Sequence, residues 1–295
     1  MKLDVMRPPS LIDLGGLEDD GLRAIEASAD GLRLGALVSM AQAADHPLIG
    51  RDYPVLAQAL SSGASQQIRN MATLGGNVLQ RTRCAYFRDV TWAACNKRTP
   101  GSGCAAMEGI NRQHAVLGTS EHCIAAYPGD FAQALIALDA SVRTSSPRGG
   151  RALPFAQLHC RPGQRPSVET CLEPDELIVR IDVPGAAWIR RSLYFKARDR
   201  ESYEFALASV AIALDMHEGV VREARIALGG LATIPWRSHE AERELAGARL
   251  DESRAQAAAA AAFEQAKPRR HNKFKIELGK RVLTHALLAA AAMEL

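Results

Sequence analysis

Apolar residues recur with period two in several stretches of this chain and with a period near 3.6 in others. Gly31-Leu32-Arg33-Leu34-Gly35-Ala36-Leu37-Val38 alternates as a strand with one buried face. Ahead of it, residues 9–30 read as short strands and turns, at 10–14, at the Gly15-Gly16 pair and at 22–27. Helical patterns follow over 39–46 and 54–64, the second with Val55, Leu56, Ala59 and Leu60 on one face. Residues 116–119 and 123–126 look like strands, and Pro128-Gly129-Asp130 opens a helix over 131–139 with Asp130 as its N-cap. Beyond a turn or linker at 145–150, strand patterns run over 176–183, 192–196, 206–214 and 220–228, with His217-Glu218-Gly219 joining the last two. Helical patterns near 251–265 and 273–293 close the chain. Strands first and helices afterwards predict an α+β second half.

Residues 81–114 break this regularity, being poor in apolar periodicity and rich in Arg, Asn, Gly and Cys. So long an irregular stretch inside a compact domain points to function, and cysteine ligation is expected to supply its order. The 295 residues are 47% hydrophobic and 23% charged, enough for two or three domains with real cores. A net charge of +3 is too mild for a nucleic-acid partner. The dense basic stretch 267–273 reads as a solvated helix entry or a subunit contact. No apolar run reaches the roughly 18 residues of a membrane helix, and Met1-Lys2-Leu3-Asp4 carries no secretory h-region. The expectation is a cytoplasmic chain, or a periplasmic one if it is exported with a signal-bearing partner.

Four of the six cysteines fall within 40 residues, as Cys84, Cys95, Cys104 and Cys123 in the spacing C-x10-C-x8-C-x18-C. Thiolates are soft ligands that suit iron–sulfur clusters or zinc. Structural zinc sites usually pair their ligands as C-x2–4-C, and no gap here is so short, so the spacing favours a cluster. Zinc stays open as the alternative, with His114 and His122 as nearby ligands. Cys160 and Cys171 stand apart and read as buried free thiols. Just before the cysteines lies Thr73-Leu74-Gly75-Gly76-Asn77. There the Thr73 hydroxyl and the amides of Gly75, Gly76 and Asn77 can donate to a pyrophosphate without side-chain obstruction. Lys196 by itself reads equally as a strand-edge lysine or as a functional cation. Tyr194 and Trp236 read as packing residues.

These motifs resemble the flavin-binding medium subunit of the molybdenum hydroxylase (xanthine dehydrogenase) family over essentially the whole chain. The segment Gln67-Ile68-Arg69-Asn70 through Asn77 is similar to the family's second flavin loop, and Tyr127-Pro128-Gly129-Asp130 to its Pro-Ser-Asp element. Lys196 in Tyr194-Phe195-Lys196-Ala197 resembles the family's flavin-facing lysine. The run from Gly229-Gly230 to Pro235-Trp236-Arg237 and the closing Phe274–Leu278 resemble its C-terminal domain. Cys84, Cys95 and Cys104 with their neighbours look like the insertion of the periplasmic aldehyde oxidoreductase branch. In that branch the insertion holds a [4Fe-4S] cluster, and the resemblance implies Cys123 as the fourth ligand. Met1-Lys2-Leu3 resembles the segment just after the family's first Gly-rich flavin loop, which has no counterpart in these residues.

The resemblance implies an α+β fold. A truncated FAD-binding domain of the PCMH/vanillyl-alcohol-oxidase-like type is expected over 1–150, with its iron–sulfur insertion at 81–123. A connecting segment is expected at 151–185, and a small α+β domain of the CO dehydrogenase flavoprotein type at 186–295. The cofactors implied are FAD, held by Arg69, Asn70, Thr73, Gly75, Gly76, Asn77, Asp130 and Lys196, and a [4Fe-4S] cluster on the four cysteines. The partners implied are a large molybdopterin-binding subunit and a small [2Fe-2S] subunit. The function implied is electron transfer through FAD in a molybdenum aldehyde oxidoreductase, with no substrate oxidised on this chain. The alternative is a non-catalytic assembly subunit that holds a metal centre and no flavin.

Overall fold

The computed structural model describes residues 3–28 and 30–294; Met1 and Lys2, which carry part of the resemblance at the start of the chain, lie outside them. Strands β1 (Ile25–Ser28) and β2 (Gly31–Gly35) form an antiparallel hairpin. Gly31 has φ near 141°, and a Cβ there would lie 2.2 Å from the Val183 carbonyl, so only glycine lets the hairpin meet the strand beside it. Five short helices follow: α1 (Met40–Ala44), α2 (Pro47–Asp52), α3 (Pro54–Ser62), α4 (Gln66–Met71) and α5 (Leu74–Val78). Prolines open α2 and α3, where the missing N–H costs nothing. Val55, Leu56, Ala59 and Leu60 of α3 are fully buried, as their spacing predicts.

After α6 (Ala85–Arg88) and α7 (Phe131–Ala137) come β3 (Ser141–Ser145), β4 (Ala152–Pro154) and β5 (Leu177–Pro184). The first sheet runs β1-β2-β5-β3-β4 and is antiparallel throughout. Residues 151–185, expected to connect two domains, thus supply β4 and the central strand β5, which buries Ile178, Ile181 and Val183.

The second sheet is β6 (Ser192–Ala197), β7 (Ala208–His217), β8 (Val220–Gly229) and β9 (Trp236–Arg237), followed by α8 (His239–Leu245), α9 (Glu252–Ala261) and α10 (Phe274–Ala291). Glu218 and Gly219, both at positive φ, close the β7–β8 hairpin. Strand β7 is buried over seven consecutive residues because the sheet is covered on both faces. Val210, Ile212 and Leu214 face a core with α8, α9 and α10, whereas Ala211 and Ala213 join the core of the first sheet and α7. Among the described residues no helix is long and apolar enough to cross a membrane.

Several local expectations are corrected. Residues 10–14 form no strand: they lead into a 3-10 turn at Leu14–Gly16, with Leu11 and Ile12 exposed. Residues 116–119 and 123–126 make only isolated bridges, Leu117 with Ala232 and Ser120 with Cys123, because the Val116 and Leu117 amides both bond the single carbonyl of Leu231. Asp130 precedes α7 but makes no side-chain cap. The irregular stretch owes its order to polar side chains as well as to any ligation. The Arg98 guanidinium gathers the carbonyls of Tyr86, Phe87, Asp89 and Trp92, and Asn96 ties the Gly103 amide to the His122 carbonyl.

Candidate redox-cofactor site

The four clustered cysteines come from four different turns. Cys84 precedes α6, Cys95 and Cys104 face each other across an isolated antiparallel bridge, and Cys123 closes the Ser120 turn. All four line one small cavity, which Tyr86, Phe87 and Ala106 also border. Burial pushes the Cys84 thiol up to about 12 and Cys123 up to about 11, and raises Cys104 too. Neighbouring thiols add to each rise: Cys123 and Cys95 act on Cys84, and Cys95 on Cys104. Burial thus disfavours the thiolates of Cys84, Cys104 and Cys123, and a positively charged centre is what would hold them in that form.

Among the described residues, no group of three or more His, Cys, Asp or Glu side chains is set to hold a metal ion. This counts alike for a zinc ion and for a cluster, so the arrangement does not choose between them. Four soft donors around one water-poor cavity fit either group.

The cysteine shell carries cations. Lys97, almost buried, pairs with Glu169 at 2.9 Å and acts on Cys123, while Arg81 pairs with the other Glu169 oxygen. His114 Nε2 lies 3.2 Å from the Cys84 sulfur. His122 borders the cavity without bonding a thiol, and its amide donates to Ser120. Cys160 and Cys171 are free and half-buried rather than fully buried. A larger, mostly apolar cavity of about 470 Å³ lies between Cys84 and His114 on one side and Phe205 and Leu207 on the other.

The expected flavin residues are not gathered in this way. Thr73 caps α5, its hydroxyl oxygen accepting from the Gly76 amide at 3.2 Å. The Gly75 amide donates to Ala36 O at 2.9 Å and the Asn77 amide to Thr73 O at 2.8 Å. All three backbone donors read as free for a pyrophosphate thus already have partners inside the fold. The Thr73 hydroxyl proton stays available, and Thr73 and Asn70 share the wall of one open cavity of about 810 Å³ with Ser39 and Gln42. Neutral donors on an open wall fit a polar cofactor chain. A Cβ at Gly75 would lie 3.1 Å from the Cβ and carbonyl of Ala36, so this glycine serves the packing of α5. Arg69 donates to Gly63 O at 2.8 Å, and Asn77 Nδ2 to Met40 Sδ at 3.2 Å.

Asp130 and Lys196 face each other. Lys196 Nζ donates to Asp130 Oδ2 at 2.7 Å and to Ser62 O at 3.0 Å, and the Tyr194 hydroxyl donates to Asp130 Oδ1 at 2.5 Å. The pair is buried, its side chains 8% and 4% exposed. It joins the start of α7 to β6 and the end of α3, so it fastens the two halves together. Tyr194 is therefore more than packing, while Trp236 is buried beneath the Arg161 guanidinium.

An FAD-type first half on a sheet that shares its core with an α+β second half defines a class of flavin subunits. Residues 1–186 match the family model for the FAD binding domain in molybdopterin dehydrogenase, and 193–290 that for the CO dehydrogenase flavoprotein C-terminal domain. The chain belongs to this family: it is an oxidoreductase subunit with the FAD-binding domain of the molybdenum hydroxylases. It is 48% identical over 294 residues to the aldehyde oxidoreductase FAD-binding subunit PaoB of Escherichia coli (strain K12), covering 99% of this chain and 88% of that one. The nicotine 6-hydroxylase medium subunit of Paenarthrobacter nicotinovorans is 27% identical, over 88% of this chain and 73% of its own. Quinoline 2-oxidoreductase from Pseudomonas putida 86 superposes with a TM-score of 0.72 at 25% identity, over 98% of this chain and 84% of that chain.

Proposed function

We propose that this chain is the electron-transferring subunit of a molybdenum-containing aldehyde oxidoreductase, with FAD and a [4Fe-4S] cluster on one polypeptide. The observation that carries this reading is the convergence of Cys84, Cys95, Cys104 and Cys123 on one cavity. It is supported by 48% identity to an aldehyde oxidoreductase FAD-binding subunit along 99% of the chain. The matched family models speak of FAD and flavoprotein, so the iron–sulfur part rests on the cysteines alone. A large molybdopterin-binding subunit and a small [2Fe-2S] subunit complete the proposed complex, and substrate is oxidised on the large one. The division 1–150, 151–185 and 186–295 stays part of this reading, with β5 of the middle segment built into the first sheet.

When bound, FAD takes up two electrons and passes them on, and a [4Fe-4S] cluster relays one at a time. The chain's own residues bind, orient and exclude water. Thr73 and Asn70 would offer the hydroxyl and carboxamide to the cofactor chain. The buried Asp130–Lys196 pair holds β6 against α7. Tyr86, Ala106 and Ile124 pack into an apolar layer against Cys84 and Cys104 and keep solvent from the thiols.

The test is cofactor analysis of the complex purified with its partner subunits. Flavin extraction is expected to yield about one FAD per chain, and iron and acid-labile sulfide analysis about four of each beyond the small subunit's share. Iron without flavin supports the assembly-subunit alternative, and zinc in place of iron removes the cluster.

A further inference from the structure

The buried imidazole of His114 has no part in the roles assigned above. Its Nε2 lies 3.2 Å from the Cys84 sulfur, and its Nδ1 is buried with no partner. The Asn111 carbonyl also acts on the ring, but a ligating thiolate at 3.2 Å can only accept, so opposite it the ring presents Nε2–H.

The backbone around His114 is held from the second half of the molecule. Lys275, wholly buried at the start of α10, donates to the carbonyls of His114 at 3.1 Å, Gln113 at 3.3 Å and Gly230 at 2.6 Å. Asn272 Nδ2 donates to the carbonyls of His114 and Ala115. The His271 amide donates to Asn111 Oδ1, and Asn111 in turn holds the carbonyls of Ala106 and Met107. The basic stretch 267–273 is thus in part a clamp on the cysteine segment.

We propose that His114 is a positioning residue for the iron–sulfur centre: its Nε2–H donates to the Cys84 thiolate and raises the centre's reduction potential, and the C-terminal half sets that bond through Lys275 and Asn272. The proposal rests on the [4Fe-4S] reading above. A donor to a ligating sulfur draws charge off the thiolate and stabilises the reduced, more negative state. Lys275, whose pKa burial lowers to about 7, acts in the same direction from behind the His114 carbonyl when it is protonated.

The experiment is an EPR-monitored redox titration of the intact complex with unsubstituted chain, His114→Leu, His114→Gln and Lys275→Met. His114→Leu is expected to lower the potential by about a tenfold change in the reduction equilibrium, about 59 mV for one electron. His114→Gln keeps an N–H donor and restores most of it, and Lys275→Met shifts it the same way as Leu. A merely structural role would change iron content or melting temperature without moving the potential. An intact cluster signal with the same potential in the Leu variant overturns this proposal alone. No [4Fe-4S] signal in the unsubstituted complex overturns the cluster reading and this proposal with it. If the Leu variant loads no cluster, pulsed EPR of the unsubstituted complex with ¹⁵N-histidine decides. A histidine nitrogen coupling that survives His122→Gln supports the bond, and its absence overturns it.

Discussion

Residues 84–123 and residues 69–77 are neighbouring regions rich in turns, and both carry the polar groups expected to hold a redox cofactor. In the first, four thiols arrive from separate turns and line one cavity. In the second, the amides of Gly75, Gly76 and Asn77 are taken up by Ala36 O, Thr73 Oγ1 and Thr73 O. The difference is one of competition. A buried thiol is a weak hydrogen-bond partner that the rest of the fold seldom claims. A backbone amide must find an acceptor, and the nearest carbonyl takes it before any ligand does. Sites built from side chains can therefore be proposed from spacing, whereas sites built from backbone donors depend on how the neighbouring strand passes.

The sharpest way to break this contrast is at Lys196. If the Asp130–Lys196 pair is structural, Lys196→Met leaves a buried carboxylate without its cation and costs about 3–5 kcal/mol in urea denaturation. Adding Asp130→Asn recovers part of the loss, since no charge is then stranded. Unchanged stability with selective loss of FAD would instead make the pair a cofactor device, and the two regions would be alike after all.

The next effect is on pH dependence, through His159. Its Nε2 bonds Val78 O at 2.9 Å and so holds the end of α5, while its ring packs edge-on against Tyr127 and Phe155. Burial lowers its pKa to about 4, against an ordinary value near 6.5. Between those values the unfolded chain binds the proton and the native chain does not. Stability therefore falls as pH drops from 6.5 to 4, by up to about 3 kcal/mol. His159→Leu is expected to lessen that slope in denaturation midpoints compared at pH 4.5 and 7, leaving the share of His114, whose pKa burial also lowers to about 4. An undiminished slope would put the acid sensitivity elsewhere.

The smallest effect belongs to Thr73. Thr73→Val removes the cap of α5 and the hydroxyl on the cavity wall, lowering stability by about 1 kcal/mol. Retention of FAD on gel filtration should fall severalfold in the Val variant and recover with Thr73→Ser. Equal retention in all three would remove Thr73 from the flavin site and widen the gap between the two regions.

Much of the fold was legible in the chain's patterning. The alternation at 31–38 marked β2, the α3 stripe named its four buried residues, and the turn at 217–219 joined β7 to β8. What escaped was non-local. Nothing near Leu177–Pro184 says that this strand enters the middle of the first sheet, because its partners β2 and β3 come from far earlier in the chain. Asp130 reads the same in sequence whether it caps a helix or pairs with a lysine 66 residues on. His114 and Lys275 left a fainter signal: a lysine between Phe274 and Ile276, on the helix that closes the core, and a histidine inside the cysteine stretch. Only their meeting in space gives them meaning.

The central place of β5 bears on how this molecule is made. The β1–β2 and β3–β4 hairpins can form as local units, but β2 and β3 have nothing between them until residues 177–184 have been synthesised. Pairings such as Gly35 with Arg180 give the domain a high contact order, which slows its final closure. All four clustered cysteines leave the ribosome before the strand that completes the first sheet. The thiols are thus already made while the domain is still open, and assembly of any centre on them competes in time with the closing of a sheet.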